Sequence, residues 1–121
     1  MLYEIENPKQ FENEGFRRWF TDRYFDLIVW YTDDKLIDGF QLCYDKGGNE
    51  RCLTWKRSGS YVHTGVDDGE VYGQNKMTPI MTAGGGFDKW KISKEFKEAS
   101  IKIDSTVVSF VHRKLVEYGA D

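Results

Sequence analysis

The segment 24–57 constrains the fold of this chain most strongly, because three strand-like runs lie within it and turn residues separate them. Residues 24–31, 36–44 and 51–55 are rich in aromatic and branched apolar side chains. Such side chains favour strands, and the Asp and Gly clusters between the runs favour tight turns. The segment therefore predicts two consecutive β-hairpins, and we expect every other segment to cover or extend them.

The second of these hairpins has the clearer register. Gly47 and Gly48 both tolerate the positive φ angles that a type I′ turn requires. A two-residue turn centred there pairs apolar residues with each other on one face, which stabilises a strand ladder. The predicted pairs are Tyr44 with Arg51, Leu42 with Leu53, Phe40 with Trp55, Gln41 with Thr54, and Cys43 with Cys52.

The first hairpin is predicted to turn at Asp33-Asp34. A two-residue loop there places Leu27 opposite Phe40, and the same register gathers one apolar face from Phe25, Leu27, Val29, Phe40 and Leu42. It also puts Asp38 on that face. A three-residue loop with a bulge is the alternative, and Asp38-Gly39 is a second candidate position for a bulge.

The flanking segments complete the expected architecture. Residues 1–14 suggest a short edge strand or an ordered tail, and Phe16, Trp19 and Phe20 have the spacing of one helical turn. A turn at 58–60 precedes a strand over 61–66, a further turn falls at 67–70, and residues 78–82 read as an extended connector. Ser93 is expected to cap a helix over 94–100, and Asp104 a second helix that runs to about Tyr118.

These elements predict a single domain, residues 1–121, of the α+β class. The expected core is a strongly twisted antiparallel β-meander of about 4–6 strands, packed against a C-terminal α-helix with a shorter helix before it. The 16% aromatic share gives such a chain the burial that a folded core needs.

Composition excludes several classes of function. A formal net charge of −3 argues against nucleic acid as the main partner, because that binding needs a strongly basic face. No run of about 18 apolar residues is present, which argues against a membrane partner. The first residues carry acids where a secretion signal needs basic and apolar stretches, so a cytoplasmic location is expected.

The motifs of common catalytic and cofactor sites are missing from the sequence. Two histidines and two cysteines do not make a zinc site at any usual spacing, and there is no GxSxG elbow. The carboxylate clusters coincide with predicted turns, where Asp is favoured in any case. The glycines at 84–86 lack the Lys-Ser/Thr of a phosphate loop. We therefore expect no catalytic residue, no cofactor and no metal, and hydrolase chemistry is the least supported function.

Cys43 and Cys52 carry the sharpest geometric prediction. Direct cross-strand partners have Cβ atoms about 4.5–5.5 Å apart, slightly more than a disulfide prefers. Two buried thiols in a reducing cytosol are the favoured interpretation, and a bridge is the alternative.

Both faces of the predicted sheet are apolar, and this suggests two functions. The face with Ile28, Trp30, Ile37, Cys43 and Cys52 needs cover from another part of the chain, a second subunit, a partner or a ligand. The leading hypothesis is a non-enzymatic protein-interaction or adaptor domain, with an unknown protein partner or as a homodimer. The alternative is a pocket between curled sheet and helix for a small apolar or aromatic ligand. The candidate contact residues are Arg18, Trp19, Trp30, Cys43, Cys52 and Trp90.

Overall fold

The fold is a six-stranded antiparallel sheet with two helices on one face, as seen in a computed structural model that describes residues 1–6, 10, 16–65 and 87–118. The strands are β1 (Tyr3–Glu4), β2 (Arg17–Thr21), β3 (Phe25–Tyr31), β4 (Ile37–Tyr44), β5 (Arg51–Lys56) and β6 (Tyr61–Gly65). The helices are α1 (Lys89–Ala99) and α2 (Ser105–Glu117). The α+β class and the antiparallel meander are therefore confirmed. The predicted turn at 67–70, connector at 78–82 and glycine loop at 84–86 lie outside the described residues.

The spatial order of the strands is their order in the sequence, from β1 at one edge to β6 at the other. Tyr3–Glu4 confirms a short edge strand within residues 1–14, and its neighbour Leu2 is buried. The turn at 58–60 and the strand that follows it are also confirmed, with β6 ending at Gly65 in the described part.

The β4–β5 hairpin has the register that the sequence predicted. All five predicted pairs are present, including Leu42 with Leu53 and Cys43 with Cys52. The turn itself differs from the prediction. Positive φ angles occur at Asp45 (63°) and Gly47 (84°), and the Gly48 amide donates to the Asp45 carbonyl at 3.0 Å. The connection is therefore a longer loop, and not a two-residue type I′ turn at the two glycines.

The two-residue loop predicted for the β3–β4 hairpin is wrong. Leu27 pairs with Leu42 and Val29 with Phe40, a shift of two residues from the primary prediction. The ladder is irregular where Trp30 pairs with Gly39 and Tyr31 with Ile37, so Asp38 is the extra residue. This bulge is one of the alternatives that the sequence left open. An even shift keeps the same side chains on the core face, because side chains alternate along a strand.

The helical turn predicted over residues 16–20 is also wrong, because this segment is strand β2. Its partner is β3, with Phe20 opposite Leu27 and Trp19 opposite Ile28. Phe20 is fully buried while Phe16 is 59% exposed. The spacing of three aromatic residues mimicked a helical face, but pairing with β3 provides backbone hydrogen bonds that one isolated helical turn could not.

The first helix begins earlier than predicted. Asp88 caps α1 by accepting a hydrogen bond from the Lys91 amide at 3.1 Å, and Ser93 lies inside the helix with its side chain buried. The second helix matches its prediction. Asp104 accepts from the Thr106 amide at 2.8 Å, and Val107, Val111 and Leu115 form the buried stripe.

The core lies between one face of the sheet and the two helices. Phe25 meets Phe96 of α1 edge-on with ring centroids 5.9 Å apart, and Trp55 meets Phe110 of α2 at 5.2 Å. Ile37 belongs to this core at 8% exposure, although the sequence assigned it to the opposite face. The bulge at Asp38 is the reason, because one extra residue reverses the side of every residue before it. In the part of the chain that the structure describes, no helix has the length and apolar character needed to cross a bilayer.

Candidate functional site

An open cleft lies at the end of the sheet where β2, β3 and the β3–β4 loop meet. Its volume is about 580 Å³, within the range of about 300–1,000 Å³ that binding pockets show. The residues that line it are Phe16, Arg18, Tyr31, Thr32, Asp33 and Lys35.

Two aromatic rings form one wall of the cleft. The Tyr31 amide donates to the Phe16 carbonyl at 2.9 Å, which extends the β2–β3 ladder by one bond. The two rings are 6.0 Å apart and tilted by 42°. Tyr31 is half-buried, whereas Phe16 remains 59% exposed although its backbone is anchored. The cleft thus presents a large apolar ring on a rigid support.

Thr32 fixes the opposite wall, which is the β3–β4 loop. Its hydroxyl accepts hydrogen bonds from the amides of Asp34 and Leu36, both at 3.2 Å, and its carbonyl accepts from the Lys35 amide at 2.9 Å. Lys35 takes a positive φ of 68°. These bonds hold Asp33 and Lys35, a carboxylate and an ammonium group, at the rim.

Arg18 lies at the base of the cleft and joins three elements. Its guanidinium binds both carboxylate oxygens of Glu4 on β1, at 2.9 and 2.8 Å, and Asp104 at the start of α2, at 3.0 Å. The Glu4 contact is the main reason that the pKa of Arg18 is raised. Arg18 in turn lowers the pKa of Asp104. The arginine is therefore a charge-neutralised anchor, and only part of its side chain faces the cleft.

The six residues that line the cleft differ in chemical character. The groups present are an aromatic wall, an anchored arginine and two rim charges.

Four of the candidate residues lie on the outer face of the sheet, the face opposite the helices. Trp19 and Trp30 are half-buried there, on neighbouring strands. The ring of Trp30 packs over Gly39 of β4. A Cβ added to Gly39 would be 2.8 Å from the Trp30 ring. Trp90, the remaining candidate besides Arg18, is 63% exposed on α1, with the Lys89 ammonium 5.2 Å from its ring. The candidates therefore do not form one site.

Cys43 and Cys52, the other two outer-face candidates, are joined by a disulfide bond. This bond corrects the preferred interpretation of two free thiols. The Cα atoms of the two residues are 3.9 Å apart. The predicted pairing of the two residues was right. The two strands lie closer together at this pair than the spacing that had disfavoured a bridge. Among the described residues, one group could offer three metal ligands, and it comprises these two cysteines and Glu50.

A buried histidine at the other end of the core was not singled out from the sequence. His63 pairs with Leu53 in the ladder and is 4% exposed, and its Nε2 shares a hydrogen bond of 2.7 Å with the Tyr44 hydroxyl. Burial lowers the pKa of His63 to about 4 and raises that of Tyr44 to about 12. The strand alternation of Tyr61, His63 and Gly65 was the available signal, since it places His63 on the core face.

An aromatic cluster surrounds His63. Its ring stacks on Tyr44 at 6.1 Å and meets the edge of Phe87 at 5.1 Å, and Phe87 in turn meets Tyr118 at 5.2 Å. The His63 Nδ1 atom is buried and has no hydrogen-bond partner in the described structure. A neutral imidazole therefore keeps one unsatisfied polar atom within an apolar region.

Compared with protein-family models, with curated protein sequences and with solved structures, the chain gives no significant match. Function must therefore be argued from the geometry of this molecule.

Proposed function

We propose that this protein is a non-enzymatic protein-interaction domain, and that its cleft binds an apolar or aromatic side chain of a protein partner. The observation that carries the proposal is Phe16, whose ring is 59% exposed on a fixed backbone beside Tyr31. Exposed aromatic residues next to an arginine are typical of the few positions that dominate interface energies.

Rigidity of the cleft supports this proposal. The backbone of Phe16 is held by the Tyr31 amide, and the loop of Asp33 and Lys35 is held by Thr32. A surface that is already ordered loses little conformational freedom when a partner binds, so more of the contact energy appears as affinity.

The charges around the cleft indicate what kind of segment would fit. Arg18 is neutralised by Glu4 and Asp104, so its net attraction for an acidic partner is small. Asp33 and Lys35 at the rim have opposite signs. We therefore propose a segment whose apolar side chain enters the cleft between polar neighbours, and we propose neither nucleic acid nor a membrane as partner.

The proposal is tested with peptides selected from a random display library against the protein. Selected peptides should share an apolar or aromatic position. Their affinity should fall at least about tenfold for Phe16→Ala, which corresponds to a loss of about 1.4 kcal/mol. Val62→Ala is the matched control, because Val62 is 52% exposed on a strand remote from the cleft.

Equal peptide affinities for Phe16→Ala and the wild type would refute the cleft as the binding site. A second copy of this chain is the other partner considered. Light scattering over a range of concentrations detects such a homodimer. If Phe16→Ala dissociates the dimer and Val62→Ala does not, the homodimer contact is at the cleft.

A small aromatic ligand at the His63 cluster is a second candidate function. The observation that favours it is the buried Nδ1 atom of His63 without a partner, beside the half-buried rings of Phe87 and Tyr118. A planar compound with one polar group could stack on those rings and bond Nδ1. An NMR fragment screen checks this, and the idea fails if no fragment shifts the ring signals of His63.

A cytoplasmic location remains part of the proposal. The Cys43–Cys52 bridge is the observation against a permanently reduced state, because disulfides in cytosolic proteins are rare and are usually redox-active. Alkylation of thiols in freshly lysed cells, followed by mass measurement, would show which state the chain has in its compartment.

A further inference from the structure

A second cluster with chemical potential lies on the outer face, near the closed end of the β4–β5 hairpin. The two sulfur atoms of Cys43 and Cys52 and a carboxylate oxygen of Glu50 all lie within 4.8 Å of one another. The hairpin explains this grouping. Cys43 and Cys52 are direct cross-strand partners, and Glu50 lies in the hairpin loop two positions before Cys52.

The disulfide bond keeps this cluster closed to metal ions. Metal ions bind cysteine as the thiolate, and a bridged sulfur has no such form. Reduction by a dithiol opens the cluster. The protein S–S bond breaks, an S–S bond forms in the reductant, and the two thiol protons of the reductant end on Cys43 and Cys52.

We propose that the reduced protein binds one zinc ion through the thiolates of Cys43 and Cys52 and the carboxylate of Glu50, with water as the fourth ligand. Sulfur and oxygen donors in this number are those that zinc accepts in a tetrahedral site. On binding, two Zn–S bonds replace two S–H bonds and both protons pass to solvent. The three ligands carry a formal charge of −3 once the thiols are deprotonated, so the site with its Zn²⁺ ion carries a formal charge of −1.

The surroundings of the cluster are compatible with this assignment. Asp26 pairs with Cys43 on β3, but its carboxylate is held by the Lys46 ammonium at 3.0 Å. The Asp26 carboxylate is therefore already paired with an ammonium group. Cys52 is 4% exposed, whereas Cys43 and Glu50 are only half-buried, so solvent, reductant and metal can approach from one side.

The hairpin keeps the ligands together after reduction. Six residue pairs join β4 to β5, and β3 and β6 flank them on either side. Only one of those pairs carries the bridge. The ladder therefore holds the two thiols opposite each other, and binding needs little rearrangement of the backbone.

The experiment compares oxidised and dithiol-reduced protein in an anaerobic titration with zinc against a chromophoric chelator. Reduced wild type should bind one zinc per chain and release about two protons in unbuffered solution, whereas the oxidised protein should bind none. Cobalt in place of zinc should give the intense visible bands of a tetrahedral thiolate site. Cys43→Ser should abolish the cobalt–thiolate signature of a two-sulfur site.

The role of Glu50 is tested separately. Glu50→Gln should weaken zinc binding by at least about tenfold. Asp34→Asn, a carboxylate change in the other hairpin loop, should leave the affinity unchanged. If Glu50→Gln binds zinc as tightly as the wild type, the three-ligand assignment is wrong.

Two further outcomes decide the proposal as a whole. Zinc affinity of the reduced protein no higher than that of the oxidised protein overturns it. If reduction alone unfolds the chain, zinc should restore the folded amide spectrum, because metal binding then contributes to folding. A reduced chain that stays unfolded with zinc also overturns the proposal. The test is independent of the cleft, which lies at a different part of the sheet.

Discussion

At the scale of single residues, Gly39 shows how one missing side chain determines packing on the outer face. Trp30 is its partner on β3, and the indole ring covers the glycine. An added Cβ would lie 2.7 Å from the Trp55 carbonyl oxygen and 2.8 Å from the ring of Trp30. A backbone oxygen within the ladder cannot move away without breaking the β4–β5 pairing.

Gly39→Ala should therefore lower the free energy of unfolding by about 1–3 kcal/mol, as overpacking does. Gly65→Ala is the matched control, because no atom of the described residues lies within 4 Å of its added Cβ and its φ is not positive. The control should be neutral or slightly stabilising. Urea unfolding followed by tryptophan fluorescence measures both, and equal stability of the two variants would contradict the packing of Trp30.

His63 gives the protein a dependence on pH that can be assigned to one side chain. Its pKa is about 4 when folded, below the ordinary value of about 6.5 in an unfolded chain. The unfolded state therefore binds a proton first as the pH falls. The stabilising contribution of neutral His63 is complete above about pH 6.5 and is lost as the pH falls toward 4.

This loss should be on the order of 3 kcal/mol between about pH 7 and pH 4. His63→Phe should show a flatter stability profile in that window. Burial also lowers the pKa of His112. His112→Gln is therefore the control that measures the contribution of His112 to the pH dependence of stability. A slope that His63→Phe leaves unchanged would assign the pH dependence to other groups.

At the scale of elements, Asp104 is the junction between the second helix and the sheet. One of its oxygens caps the Thr106 amide at 2.8 Å, and the other binds Arg18 of β2 at 3.0 Å. The same carboxylate therefore starts α2 and fixes its start against β2. Arg18 lowers the pKa of Asp104, so this stabilisation is present above the ordinary pKa and is lost as the pH falls through the lower folded value.

Asp104→Ala should cost about 1–2 kcal/mol of stability, whereas Asp104→Asn, which can still cap, should cost less than about 1 kcal/mol. Asp88→Ala removes the cap of α1 and provides a comparison without the Arg18 ion pair. Salt should reduce the effect at Asp104 more than at Asp88, because both caps interact with a helix end but only Asp104 also has an ion pair that salt screens. Thermal unfolding at low and high salt measures the difference.

The elements that the sequence predicted well are those with a local physical cause. Asp104 and the stripe of Val107, Val111 and Leu115 define α2 without reference to any other segment. The β4–β5 register follows from matching apolar residues across a loop that contains two glycines. Predictions failed where the deciding partner was distant. β2 is a strand because β3 lies beside it, and Asp38 bulges because Tyr31 pairs with Ile37.

The candidate site was harder to predict than the fold. Arg18 was named, but its partners Glu4 and Asp104 come from opposite ends of the chain. Phe16 was predicted to lie in a helical turn with Trp19 and Phe20, whereas it lies just before β2 and lines the cleft. A cleft forms where neighbouring segments leave space unfilled. Composition and periodicity carry little information about where such space remains.

At the scale of the whole molecule, the strictly sequential strand order predicts a gradient of local stability. β3, β4 and β5 each have two neighbours and the core beneath them, whereas β1 has two residues and one neighbour. Native-state hydrogen exchange should therefore be slowest for amides at the centre of β4 and fastest among strand amides for those of β1. Equal protection in β1 and β4 would show that the sheet opens only as one unit.

The same sequential order has a consequence for how the protein is made. Each strand emerges from the ribosome directly after the neighbour it pairs with, so the sheet can assemble as the chain lengthens. Its apolar face, with Leu27, Phe40 and Leu53, stays uncovered by helix until α1 and α2 have been synthesised. At about 5–20 residues per second this interval lasts some seconds. The nascent chain is therefore most prone to aggregate after the sheet has formed and before α1 and α2 have been synthesised. A chaperone that binds flat apolar surface would protect the chain most during this period.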